Sequence, residues 1–133
     1  MGTLYEVTGD LGSITKVLET KEQIIRPSTI DEDQDNYNPT GLATCNIIIV
    51  DSDQSREIRG LTAPAAGVNK VIWFFNSNTA NRNLKFMHND RSATAANRFL
   101  LRDNAAKDLK EGEGCGLWYD HDVDRWRPLT RLG

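Results

Sequence analysis

The chain has few residues that cross-link or interrupt a backbone, with two cysteines and four prolines among 133 residues. Cys45 and Cys115 have no short metal-ligand spacing, so we expect two reduced, partly buried side chains and neither a zinc site nor a disulfide. No apolar run approaches the ~20 residues of a membrane-spanning helix. The opening MGTLYEVTGDLGS lacks a basic region followed by an apolar core, which predicts no signal peptide.

An excess of positive charge is also lacking, since the net charge is −3 with 26 % charged residues. A protein that neutralises phosphates is usually basic, so nucleic acid is not an expected partner, and no membrane partner is expected either. The length fits one domain with its own core.

Long amphipathic helices are missing as well, and the apolar residues instead form short β-branched and aromatic runs. These runs recur every eight to fifteen residues or so, as in sandwiches and barrels. We therefore predict an all-β fold, a small antiparallel β-sandwich or barrel, without a helix longer than about two turns in residues 41–129. The predicted strands are CNIIIVD, REIRGL, KVIWFFN, LKFMH, RFLL, KDLK, GLWY and RWRPL, and the predicted core residues are Ile48, Val50, Ile72, Phe74 and Trp118.

Residues 1–40 differ from the rest, being polar, acidic in the middle and weakly patterned. We predict a partner-dependent N-terminal arm over residues 1–40 and a β module over residues 41–133. Small apolar side chains in the arm would suit a groove or an added strand on another protein. These interface candidates are Leu4, Val7, Leu11, Ile14, Val17, Leu18, Ile24 and Ile25.

Two runs, NIIIV and KVIWFF, are apolar at nearly every position. Such strands are either covered on both faces or turn one face toward another chain. We therefore expect a homo-oligomer, with a trimer favoured.

The segment LWYDHDVDRWRPL, residues 117–129, admits three interpretations. Asp120, Asp122 and Asp124 begin like a calcium loop, but Arg125 and Arg131 stand where that loop needs glycine and glutamate. His121 could act as a general base, but adjacent side chains of an extended chain point to opposite faces. A β-hairpin with a loop of about five residues fits best, so we expect no metal, no cofactor and no catalytic residues.

The region from about residue 35 to 129 resembles a small β-module of tailed-bacteriophage virion proteins. The resemblance is carried by DNYNPTGL, REIRGLTAP, NKVIWFFN, LKFMHND, SATAANRFLL and LWYDHDVDRWRPL. Its most specific part is TAANRF followed some twenty residues later by WYD and RWR. The resemblance implies an architectural role and carries over no catalytic residue.

Within these motifs, Asn97 suits the left-handed end of a helical turn that Ser92 could cap, and Arg98 could bridge to Asp90 or Asp120. Alternatively, Arg98 and Arg125 face a partner subunit. Trp118 and Trp126 are expected as core or interface anchors.

Two functions compete at this stage, both non-enzymatic. The first is a capsid decoration, or cement, protein on the outer surface of the virion that contacts the major capsid protein and is assembled in the host cytoplasm. The second is a tail-fibre or adhesin-type module that binds host surface glycans, for which exposed tryptophans would serve as stacking platforms. A carbohydrate-binding module outside any virus is a weaker third alternative.

Overall fold

The computed structural model describes residues 23–130 and Leu132. These residues form eight β-strands and three short 3-10 helices, Leu42–Thr44, Ala95–Asn97 and Arg102–Asn104. The all-β prediction and the absence of a long helix in residues 41–129 are confirmed. The strands are β1 (Ile24–Ile25), β2 (Ile47–Val50), β3 (Arg56–Ile58), β4 (Val71–Asn76), β5 (Leu84–Phe86), β6 (Lys107–Leu109), β7 (Gly114–Asp120) and β8 (Arg125–Pro128).

The strands form two sheets, a five-stranded sheet in the order β1-β2-β4-β7-β8 and a three-stranded sheet in the order β3-β5-β6. Both sheets are mixed, which corrects the prediction of an antiparallel arrangement. The pairs β1–β2, β2–β4 and β3–β5 are parallel, whereas β4–β7, β5–β6 and β7–β8 are antiparallel. From β2 to β5 the chain alternates between the two sheets, and the long connections that this requires allow β4 to return beside β2, and β5 beside β3, in the same direction.

Apolar side chains from both sheets meet in one core. The rings of Phe74 in β4 and Phe86 in β5 pack edge to face with centroids 5.2 Å apart, and Phe86 and Phe99 repeat that geometry. Edge-to-face packing is a favoured arrangement of aromatic quadrupoles. The core prediction is confirmed at four positions that are fully buried, namely Ile48, Val50, Ile72 and Phe74.

The fifth predicted core residue, Trp118, is only half-buried, so that prediction is wrong. Its neighbours Leu117 and Tyr119 face the core, and alternation along β7 turns Trp118 to the opposite side of the sheet. Burying Leu117 and Tyr119 together removes more apolar surface from water than burying Trp118 alone, so these two residues determine which face of β7 is buried.

A buried polar cluster joins the end of β4 to both sheets. The Asn76 amide donates to the carbonyls of Arg82 and Leu109 at 2.9 and 2.8 Å, and its oxygen accepts from the Asn78 backbone at 2.9 Å. The Asn78 amide in turn donates to the Ser52 hydroxyl at 2.9 Å. Buried polar groups persist where they are satisfied in this way, so the cluster fixes the relation of β4 to β6.

Part of the predicted arm belongs to the fold. Ile24 and Ile25 pair with β2, and Ile30 and Tyr37 are buried. The chain between them runs beside residues 51–61, where Tyr37 N–H donates to the Gly60 carbonyl at 2.9 Å. The arm therefore does not extend to residue 40, while its assignment over residues 1–22 lies outside the described residues and stays a prediction.

One arginine and one glycine explain how this acidic segment packs. The Arg59 guanidinium contacts the carboxylates of Asp33, Asp35 and Glu57 at 3.1, 2.8 and 2.9 Å. A Cβ on Gly60 would lie 2.5 Å from the Asp35 carbonyl oxygen, so only glycine permits this close approach. The apolar pattern of this segment did not predict that it packs against the fold, because ion pairs and backbone hydrogen bonds hold much of it in place.

Two smaller predictions also differ from the structure. RFLL is not a strand, since only Phe99 forms isolated bridges, to His88 and Trp126. Ser92 does not cap the helical turn, because Thr94 precedes it and Ser92 N–H donates to the Asp90 carboxylate instead.

Candidate functional site

The side of the five-stranded sheet that faces away from the core is apolar, and it is most exposed along β4. Along β4, Ile72, Phe74 and Asn76 point inward, whereas Val71, Trp73 and Phe75 are 40, 38 and 39 % exposed. Neighbouring strands carry apolar residues on the same side because paired residues share a face. We call this surface the outer face and define it by Ile24, Ile47, Ile49, Val71, Trp73, Phe75, Gly114, Gly116 and Trp118.

Two glycines shape the middle of the outer face. Gly116 pairs with Trp73, and Gly114 pairs with Phe75. A Cβ on Gly116 would lie 2.8 Å from the Trp73 ring, and one on Gly114 would lie 2.4 Å from the Phe75 ring. The rings therefore lie flat over β7, in the space that side chains of Gly114 and Gly116 would otherwise occupy, so no side chain of these two positions protrudes from the face.

Charged residues stand at one end of the outer face. Asp120 pairs with Arg125 across the hairpin, and Trp118 pairs with Arg127. The Arg127 Nε donates to the Asp120 carboxylate at 2.8 Å. This end thus carries both signs of charge, and its main ion pair is internal.

The hairpin interpretation of residues 117–129 is confirmed, with a loop of four residues, 121–124, instead of about five. The second Asp120 oxygen accepts from Asp122 N–H at 3.0 Å, and Asp124 has a φ of 53°. His121 Nε2 lies 2.7 Å from the Val68 carbonyl oxygen. These carboxylates thus shape a turn, and among the described residues no group of three His, Cys, Asp or Glu side chains is arranged to hold a metal ion.

The two halves of the most specific motif contact each other. Tyr119 Oη donates to the Ala96 carbonyl at 2.7 Å, and Trp126 N–H donates to the Arg98 carbonyl at 2.9 Å. Phe99 bridges to Trp126, whose indole Nε1 donates to the Leu61 carbonyl at 2.7 Å. The spacing between TAANRF and WYD with RWR therefore has a structural reason, because these segments close one end of the core.

The remaining candidate residues take different places. Trp126 is buried and is a core residue, not an interface anchor. Arg98 bridges neither Asp90 nor Asp120 but donates to the Ala93 carbonyl at 2.9 Å, and Asn97 has no left-handed backbone. Instead the Asn97 side chain accepts from Ala63 N–H at 2.8 Å.

Among the other interface candidates, Ile24 is exposed, Ile25 packs against the core, and Arg125 is half-buried. The candidates in the first part of the arm lie outside the described residues. These are Leu4, Val7, Leu11, Ile14, Val17 and Leu18.

Both cysteines are free and buried. Burial raises the pKa of the Cys115 thiol from 9.0 to about 12 and also raises that of Cys45. A thiol with a raised pKa is protonated at neutral pH and is a poor nucleophile. Close to Cys45, the Lys70 ammonium donates to the carbonyls of Leu42 and Cys45, and burial lowers the pKa of Lys70.

Sequence reasoning left open whether the apolar strands are covered on both faces or turn one face toward another chain, and it did not single out Trp73 and Phe75. The usable signal is the alternation in VIWFF together with GCG in the strand that pairs with it.

None of the helices among the described residues is long and apolar enough to cross a membrane. No protein-family model, curated protein or solved structure matches this chain at a significant level.

Proposed function

We propose that this chain is a non-enzymatic structural protein of a tailed-bacteriophage virion, a capsid decoration protein that stabilises contacts between major capsid proteins. The observation that carries the proposal is the outer face, where Val71, Trp73 and Phe75 are exposed on the side of the sheet that faces away from the core. Contiguous exposed apolar patches mark surfaces that bind other molecules. Such a face suits a protein that works inside an assembly.

The virion context rests on the sequence resemblance over about residues 35–129. Its support in the structure is that TAANRF and the closing hairpin meet, as a shared architectural module requires. In this proposal the two sheets form a small sandwich, and residues 1–22 act as an arm that binds the major capsid protein. The full chain is a homo-oligomer on the outer capsid surface, with a trimer favoured.

Buried and backbone-bound reactive groups further support a non-enzymatic role. The two thiols are buried, and the rings of His88 and His121 are hydrogen-bonded to backbone groups.

A glycan-binding tail-fibre module is the second candidate, favoured by the flat exposure of Trp73 and Phe75. Aromatic rings stack on sugar rings, but a sugar site also needs polar groups beside them to bind hydroxyls. The strand partners of Trp73 are Ile47 and Gly116, which offer no polar side chain. This surrounding favours a protein partner.

A cryo-electron microscopy map of the particle formed by the phage that encodes this chain tests the proposal. We expect density for the β module on the outer surface of the head, repeated across the capsid lattice. Density at a fibre tip would support the glycan-binding alternative, and a particle without the chain would contradict both virion roles.

A further inference from the structure

The outer face is as apolar as the core-facing side of a sheet, although several of its residues are exposed. Its residues on β4 are aliphatic or aromatic, and their strand partners on β2 and β7 are isoleucine, glycine or tryptophan. Monomeric proteins rarely leave a whole sheet face of this kind in water, since antiparallel and mixed sheets usually turn polar residues outward. The face therefore implies an occupant.

The size of the face suits the centre of a protein interface. Four strands carry the apolar residues of the outer face, β1, β2, β4 and β7; spaced by about 4.8 Å they span about 14 Å, and the six residues of β4 span about 20 Å along the strand. The apolar footprint is thus on the order of 300 Å², and protruding side chains increase the accessible area. A standard interface buries about 800 Å² on each partner around an apolar centre with a polar rim.

Charge and shape favour a second copy of this chain as the occupant. The centre of the face is uncharged, so two copies can approach there in spite of the net charge of −3. Asp120 and Arg127 at its end carry both signs, which avoids repulsion between like charges along the rim. The low surface over Gly114 and Gly116 lets another sheet pack at the usual distance of about 10 Å.

We propose that the outer face is the surface through which copies of this chain associate with one another. The inference deepens the proposed function by naming the surface of its self-association. A solution mass tests it whether or not the chain occurs in virions, so the two proposals fail separately.

The test compares two lysine substitutions at exposed valines. Val71 on the outer face is 40 % exposed, and Val123 in the β7–β8 loop is 42 % exposed. Val71→Lys places a charge in the apolar face, whereas Val123→Lys adds the same charge in the β7–β8 loop, outside the residues that define the outer face. Sedimentation equilibrium of the full chain should give two or three times 14.9 kDa, and Val71→Lys should lower the mass to 14.9 kDa.

The control Val123→Lys should keep the oligomer mass, and circular dichroism should show the same β spectrum for all three proteins. A full chain that sediments as a monomer would overturn the inference, since residues 1–22 or an unlike protein would then cover the face. An equal mass for Val71→Lys and Val123→Lys would overturn it as well.

A spin label provides a second readout that does not depend on a disruptive charge. Cys45 and Cys115 are buried, so a cysteine introduced at an exposed position is the accessible thiol. Labelled Val71→Cys should show dipolar broadening between copies, and labelled Lys85→Cys, on the exposed side of β5, should show less. Equal spectra at both positions would contradict an interface on the outer face.

Discussion

At the scale of single residues, Asn76 shows how a polar side chain can hold an apolar core in register. Its side chain is almost fully buried and makes three hydrogen bonds to backbone groups. The amide nitrogen donates to the carbonyls of Arg82 and Leu109, and the amide oxygen accepts from the Asn78 N–H. Removing such a group leaves buried carbonyls without donors, and each unsatisfied group costs about 1–3 kcal/mol.

Asn76→Ala should therefore lower the free energy of unfolding by about 2–4 kcal/mol, since more than one partner loses its bond. Urea denaturation measures the change. Asn69→Ala, at an exposed asparagine before β4, should change it by less than about 0.5 kcal/mol. Equal effects would mean that the Asn76 bonds contribute little.

The buried thiol of Cys115 predicts how stability depends on alkaline pH. Its pKa is raised from 9.0 to about 12 by burial, so the folded chain resists ionisation that the unfolded chain undergoes. This contribution to stability is complete below about pH 9 and is lost as the pH rises toward about 12. Burial also raises the pKa of Tyr37 to about 12, which acts in the same direction above pH 10.0.

Urea midpoints measured from neutral pH to about pH 11 should fall above about pH 9 in the original chain. Cys115→Ala removes one of the groups whose pKa burial raises, so its midpoint should fall less steeply over the same range. Parallel pH profiles for the two proteins would show that Cys115 is ionised as easily in the folded chain.

At the scale of elements, β4 contributes alternate residues to the core and to the outer face. Phe74 is buried against Phe86, and Phe75 lies exposed over Gly114. The sequence predicted the buried parity of β4 correctly because Ile72 and Phe74 lie in a run that must bury one face. It could not tell whether the other face was covered, since that depends on which strands surround it and on what binds there.

Phe74→Ala should lower the free energy of unfolding by about 3–5 kcal/mol through lost burial and a cavity. Phe75→Ala in the same strand should cost much less in the isolated subunit, because that ring is partly in water. Urea denaturation of both variants at low concentration makes the comparison. Similar losses would contradict the assignment of inner and outer positions.

Other elements show why pattern alone gave only part of the fold. Parallel pairing of β2 with β4 depends on a crossover through the second sheet, and no local pattern encodes it. Residues 30–37 pack through ion pairs to Arg59 and backbone bonds, so their polar composition suggested an arm. The closing hairpin was predictable because alternating apolar residues flank a cluster of turn-forming aspartates.

At the scale of the whole molecule, we propose that self-association and attachment use different parts of the chain. In this proposal the outer face binds sister copies, and residues 1–22 attach the oligomer to the capsid. The double substitution Val17→Asp/Leu18→Asp places charge among the apolar residues of the arm, and it should weaken binding to particles at least tenfold. Co-sedimentation with particles measures binding, and solution mass should be unchanged; undiminished binding would assign attachment to the β module.

The most direct test of the central claim is the copy number of this chain in purified virions, measured by quantitative mass spectrometry against the major capsid protein. A decoration protein repeats with the capsid lattice, so we expect a copy number of the same order as that of the major capsid protein. A copy number that matches the few subunits of a tail fibre, or absence of the chain from the virion, would contradict the account.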